Sequence, residues 1–126
     1  MDSTQKRSAG LLPLHLVLES VGLRIEIYRS DMVLGRHSQA DVRLVLPDVS
    51  RRHCRLIFDG DRWRVIDLGS TNGVFVNGVR VTEAVLQDGD RLQLGSLPFR
   101  VEYMDHFVLP GTRPIISLPQ EKRLAS

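Results

Sequence analysis

Between Leu14 and Tyr103 the apolar residues recur with a period of two and nowhere adopt the 3.6 spacing of an amphipathic helix. Leu23-Arg24-Ile25-Glu26-Ile27-Tyr28 alternates cleanly, and the run from His53 to Phe58 does the same. Turn signals interrupt the pattern every several residues: Val21-Gly22, Arg29-Ser30-Asp31, Pro47-Asp48, Asp59-Gly60-Asp61, Asn72-Gly73, Asn77-Gly78 and Asp88-Gly89-Asp90. Short alternating runs bounded in this way are half-buried strands, and many of them in one chain predict an all-β sandwich or barrel. Strands are expected at 14–19, 23–28, 32–34, 42–45, 53–58, 62–67, 74–76, 79–81, 91–94 and 97–103. Trp63 and Phe75 are the aromatic core candidates, the indole N–H of Trp63 requiring a partner.

A chain of 126 residues has room for one well-cored domain. Residues 1–10 are polar and aperiodic and read as a flexible tail. Residues 11–105 form the expected globular part, and 106–126, punctuated by Pro110, Pro114 and Pro119, read as a C-terminal tail or a linker to a further domain in a longer parent chain. The single Cys54 excludes an internal disulfide and a multi-cysteine metal site, and its place in an apolar strand marks it as a small buried hydrophobe. Histidines 15, 37, 53 and 106 lack metal-ligand spacing. No apolar run reaches membrane-spanning length, and Pro13 and His15 interrupt the faint resemblance of the N-terminus to a signal peptide, so the chain reads as soluble and cytoplasmic. A net charge of +2, with basic residues spread out and not interleaved by aromatics, disfavours a nucleic-acid or membrane surface. Lys6 and Lys122 are the only lysines, and the remaining cations are arginines, which suit bidentate recognition of phosphate.

Three loops carry the residues with chemical potential: Gly35-Arg36, Val49-Ser50-Arg51-Arg52-His53, and Gly69-Ser70-Thr71-Asn72-Gly73, the last continuing to a second Asn77-Gly78 turn. A phosphorylated threonine carries nearly two negative charges and three acceptor oxygens. Guanidinium, hydroxyl and backbone N–H groups are the donors it needs, and these loops supply all three kinds. Spacing does not bring the loops together. A simple antiparallel meander would leave loop 35–41 and loop 46–52 at opposite ends of the strands.

Taken in order, these motifs and the closing Asp88-Gly89-Asp90-Arg91-Leu92 resemble the forkhead-associated (FHA) domain across roughly residues 14–104. The resemblance implies a β-sandwich of about eleven short strands that binds phosphothreonine peptides through Gly/Asn-rich loops at one end. It implies that Arg36, Ser50, Arg51 and Thr71 contact the phosphate and that Asn72 holds the peptide backbone, with Ser70 and Arg52 as secondary candidates. Gly35, His53 and Asn77 would shape and tie the loops instead of touching ligand. Val74 stands where family members often carry threonine, a β-branched exchange that preserves the strand.

The function expected is therefore a phosphothreonine-dependent protein-interaction module without catalysis, cofactor or metal, whose partners are marked by an upstream Ser/Thr kinase. The alternative is an interaction or oligomerisation module of the same fold that acts independently of phosphate, for which an exposed apolar patch on a strand face would be the sign. A hydrolase-like set of Ser50, His53 and Asp67 can be strung together on paper, but no Gly-x-Ser-x-Gly elbow exists, since Thr71 stands at the centre of 69–73.

Overall fold

The computed structural model describes residues 11–104, and the tails expected at 1–10 and 106–126 lie outside them. Eleven strands follow in order: β1 (Leu14–Leu18), β2 (Leu23–Ile27), β3 (Asp31–Gly35), β4 (Val42–Arg43), β5 (Cys54–Phe58), β6 (Trp63–Asp67), β7 (Val74–Val76), β8 (Val79–Val81), β9 (Glu83–Leu86), β10 (Arg91–Leu94) and β11 (Leu97–Tyr103). They make a six-stranded antiparallel sheet, β2-β1-β11-β10-β7-β8, and a five-stranded sheet, β4-β3-β5-β6-β9. The molecule is the all-β sandwich that the alternation predicts. No helix of the described residues is long and apolar enough to cross a membrane.

Register explains the core. In the first sheet Leu16 stands opposite Val101, Leu92 opposite Phe99 and Leu94 opposite Val74, so one face is continuously apolar. In the second sheet Met32, Leu56 and Val65 form one row and Phe58, Trp63 and Leu86 another. These residues are buried, Cys54 among them with its thiol pKa pushed up by desolvation. The Phe58 and Trp63 rings pack with centroids 5.3 Å apart.

Three expectations change. Phe75 is not a core residue: Val74 and Val76 take the inward positions of β7, and Phe75 faces outward opposite Arg80. Strand β9 stands where no strand is expected, because Glu83-Ala84-Val85-Leu86 alternates weakly and becomes a strand only through β6, which sets Leu86 beside Trp63. β4 is also shorter than the 42–45 run, because the chain turns after Leu44, where the Leu46 N–H donates to the Leu44 carbonyl.

The path through β4 positions the loops. β4 runs parallel to β3, Leu34 opposite Val42 and Gly35 opposite Arg43. The chain leaves β3 at Gly35, doubles back within 36–41, and advances again beside the strand it has just left. Asp41 fixes the reversal: its carboxylate accepts from the Val33 N–H at 2.7 Å and from Arg29 at 2.6 Å. Both connections, 36–41 and 44–53, therefore lie at the end of the sandwich where β3 finishes and β5 begins.

Two aromatic polar tips pin the sheets together. The Trp63 indole N–H donates to the Leu12 carbonyl at 2.7 Å. The Tyr103 hydroxyl, on β11 of the first sheet, accepts from the Trp63 backbone N–H at 2.9 Å and donates to the Leu86 carbonyl. Tyr103→Phe deletes both bonds while keeping the ring, and a loss of about 1–3 kcal/mol is expected. Urea unfolding would show it as a lowered midpoint with unchanged slope.

Candidate functional site

The first two loops are laced through their backbones. The Arg36 N–H donates to the Ser50 carbonyl at 2.9 Å and the His37 N–H to the Arg51 carbonyl at 3.0 Å. The approach is so close that a side-chain carbon at Gly35 would lie 2.1 Å from the Arg51 carbonyl oxygen. Gly35 is not among the positive-φ glycines, so lack of space, not backbone freedom, requires glycine there.

His53 joins the second loop to the third. Its Nδ1 accepts from the Ser50 N–H at 3.0 Å, so the ring proton sits on Nε2, which donates to the Gly73 carbonyl at 2.7 Å. The ring is fully buried. The same Gly73 carbonyl accepts from the Gly95 N–H at 3.0 Å, which brings in the turn between β10 and β11.

Two further contacts close the second loop onto the third. The Thr71 N–H donates to Ser50 Oγ at 3.0 Å, and the Asn72 side-chain N–H donates to the Asp48 carbonyl at 2.9 Å. Ser50 Oγ acts here as an acceptor, so its own proton remains available to a ligand. The Asp48 carboxylate accepts from the Ser96 N–H at 2.7 Å, and hydrogen bonding from the Ser96 side chain, then from its N–H, holds the Asp48 pKa below the usual carboxylate value.

The structure thus gathers Arg36, Ser50, Arg51, Thr71 and Asn72 at one end. Ser50 is half-buried and the other four are exposed. Arg36 is oriented by its Nε–H, which donates to the Val49 carbonyl at 2.9 Å and leaves the two terminal nitrogens of the guanidinium to point elsewhere. None of Arg36, Arg51 and Arg52 enters an ion pair among the described residues. The rim is rich in donors and carries uncompensated positive charge, the pairing that an oxyanion requires.

Other expected residues stand apart. Ser70 is buried, its hydroxyl donating to Asp67 Oδ1 and accepting from the Gly73 N–H at 3.0 Å, so both its functions are internal. Arg52 lines a separate recess of about 350 Å³ with His37, Gln39, Ala40, Asp41 and Val33. Asn77 lies at the opposite end, where its φ of 50° makes the β7–β8 turn and its carboxamide accepts from the Arg91 N–H and donates to Asp90. It ties those two turns and touches none of the three loops.

Asp48 and Asp67 are the supporting residues that the motifs leave out. Asp67 stands three residues before Ser70 and accepts from its N–H, a local turn pattern visible in Asp67-Leu68-Gly69-Ser70. Asp48 works only through contacts distant in sequence and has no such signal. His53→Ala removes both bonds of the buried ring and should destabilise the fold by about 3 kcal/mol. Hydrogen exchange should show the largest loss of protection at the Ser50 amide.

Comparison with known proteins gives the same picture. The FHA domain family matches residues 32–95. Glycogen accumulation regulator GarA of Mycolicibacterium smegmatis is 36% identical over 85 residues, which cover 68% of this chain and 52% of GarA. The chain spans about half the length of the curated relatives of this kind. The FHA domain of FhaA, solved in complex with the intracellular domain of Rv3910, superposes with a TM-score of 0.65 at 35% identity, covering 73% of this chain and all of that one. A domain solved in a study of phosphothreonine-dependent FHA domain interactions also gives a TM-score of 0.65 at 35% identity, over 72% of this chain and 94% of its own. The chain belongs to the FHA domain family.

Proposed function

We propose that this chain is a phosphothreonine-dependent interaction module, in which Arg36, Ser50, Arg51 and Thr71 bind the phosphate and Asn72 holds the backbone of the partner segment. The observation that carries the reading is the contact between the Thr71 N–H and Ser50 Oγ, beside an Arg36 guanidinium steered by the neighbouring Val49 carbonyl. Three donor-bearing loops meet there with no carboxylate in an ion pair to Arg36 or Arg51 among the described residues. Asn72 keeps its carboxamide oxygen and second N–H for a peptide, since only one of its N–H groups is bound to Asp48. The FhaA complex and the phosphothreonine-dependent interactions named for its neighbours support the reading by family membership. Partners are proteins phosphorylated by a Ser/Thr kinase, and Arg52, which lines the separate recess, is not assigned a contact in this reading.

The module is not an enzyme in this reading. Both ring nitrogens of His53 are bound to backbone, and Asp67 is bound to Ser70, so neither serves Ser50 as a base. A phosphate-independent module would need an apolar patch on a strand face. The outward residues Val33, Ile57, Ile66 and Val85 of the five-stranded sheet are instead half-buried and interleaved with Arg55 and Arg64.

Titration with peptide pools fixed at phosphothreonine, phosphoserine, phosphotyrosine or unphosphorylated threonine tests the function. Binding should be strongest for phosphothreonine, whose buried methyl group alone contributes roughly 0.8 kcal/mol, about a fourfold preference over phosphoserine, and absent for the phosphotyrosine and unphosphorylated pools. Arg36→Ala should cost about 1.5–3 kcal/mol of binding with the fold intact. Equal or absent binding across the pools would overturn the proposal. Affinity should also fall from pH 7.5 to 5.5, as the phosphate gains its second proton near pH 6. Asp48 does not confuse this window. Its depressed pKa means that its stabilising contribution is complete above about pH 4 and is lost only as the pH falls through its lower folded value.

A further inference from the structure

We infer that Arg80 is a specificity-determining residue, which pairs with an Asp or Glu side chain of the bound phosphopeptide; the inference rests on the phosphothreonine reading above. Arg80 belongs to β8 and to none of the three loops. It stands directly across from Phe75, on the outward face of the edge strand pair. Its side chain nevertheless reaches the ligand end. A side-chain carbon at Gly73 would meet Arg80 Nε at 2.8 Å, Arg80 Cζ at 3.0 Å and Phe75 Cε1 at 3.2 Å. The guanidinium and the ring edge together cover the Gly73 backbone, one residue from Asn72 and two from Thr71. Gly73 has a φ of 91°, so glycine suits both the turn and the space that the guanidinium fills.

The charges of the molecule sort in the same sense. Arg24, Arg29, Arg55, Arg62, Arg64 and Arg100 all sit in ion pairs with carboxylates. Arg80, like Arg36, Arg51 and Arg52, is exposed and in no ion pair among the described residues. Arg43 and Arg91 are in no ion pair either: Arg43 lies beside the first loop, its Nε–H donating to the Arg36 carbonyl, whereas the strand of Arg91 begins at the opposite end, beside Asn77. A guanidinium packed on one side against backbone and ring is partly ordered before it binds, and its fork matches a carboxylate. Thr71 to Gly73 spans at most about 7 Å. An extended segment advances about 3.3 Å per residue, so the acidic residue lies two or three positions from the phosphothreonine.

The test uses the full chain and phosphothreonine peptides carrying Asp, Ala or Lys at each position up to four residues on either side. Wild type should prefer Asp over Ala by roughly three- to fivefold at one position two or three residues from the phosphothreonine. Arg80→Ala should bring that ratio to about one, and Arg80→Glu should favour Lys there. Arg36→Ala should weaken Asp and Ala peptides alike and keep the ratio. A merely structural Arg80 would lower all affinities together without inverting any preference, which would overturn the inference. An Asp preference that survives Arg80→Ala, or none in wild type, would overturn it while leaving phosphothreonine recognition standing. Absence of phosphothreonine binding in wild type would overturn both.

Discussion

A neutral imidazole with both nitrogens engaged is the tie on which the ligand end depends. His53 sits at the mouth of β5, buried, taking an N–H from its own loop and giving one to the carbonyl of another. Loops of this length satisfy few of their own backbone groups, and a buried unpaired donor or acceptor costs about 1–3 kcal/mol. One ring answers two such groups and fixes the distance between Ser50 and Gly73. A second proton on the ring would set a donor against the Ser50 N–H, so the neutral form is part of the architecture. The remaining contacts, Thr71 to Ser50 and Asn72 to Asp48, are exposed and weaker, and they act on a spacing that His53 has already set.

The spacing has meaning because the first loop arrives at the same end, and that follows from the reversal anchored by Asp41. A carboxylate that receives both the Val33 N–H and Arg29 folds residues 36–41 back along β3. Val42 and Arg43 then run parallel to Leu34 and Gly35, and the next connection leaves from the end where the previous one began. Two residues of parallel pairing change the topology from a meander to a cluster of loops. Gly35 records how tightly the result is packed, since the Arg51 carbonyl occupies the room of a side chain.

Polar groups at this end divide into those that are satisfied and those that are not. Asp67, Ser70, Asp48 and His53 spend their capacity on loop backbone and, between Ser70 and Asp67, on each other, which ties the loops together without help from a ligand. The arginines around them have cationic groups without carboxylate partners. Such charges gain little for the folded chain in water, whereas Arg24, Arg55, Arg64 and Arg100 on the sheet faces are neutralised by nearby Asp and Glu. Arg80 belongs with the first group by its surroundings, although its strand belongs to the scaffold.

Much of this was legible in the residue order. Period-two alternation with frequent turn residues determined an all-β sandwich, because strand side chains alternate between core and water whatever their partners are. The residue types at 36, 50, 51, 71 and 72 determined that donors for an anion were present, and Asn72-Gly73 and Asn77-Gly78 marked both ends of β7. Pairing was not legible. β9 exists through its contact with β6, and Phe75 faces outward because Val74 and Val76 fill the core beneath it. The separation of Asn77 from Asn72 depends on β7 crossing from one end of the sandwich to the other. Convergence of the loops, the double bond of His53, the contacts of Asp48 and the reach of Arg80 were likewise decided by tertiary structure. Each joins groups that sequence spacing leaves unrelated, and only the three-dimensional path brings them within hydrogen-bonding or packing distance.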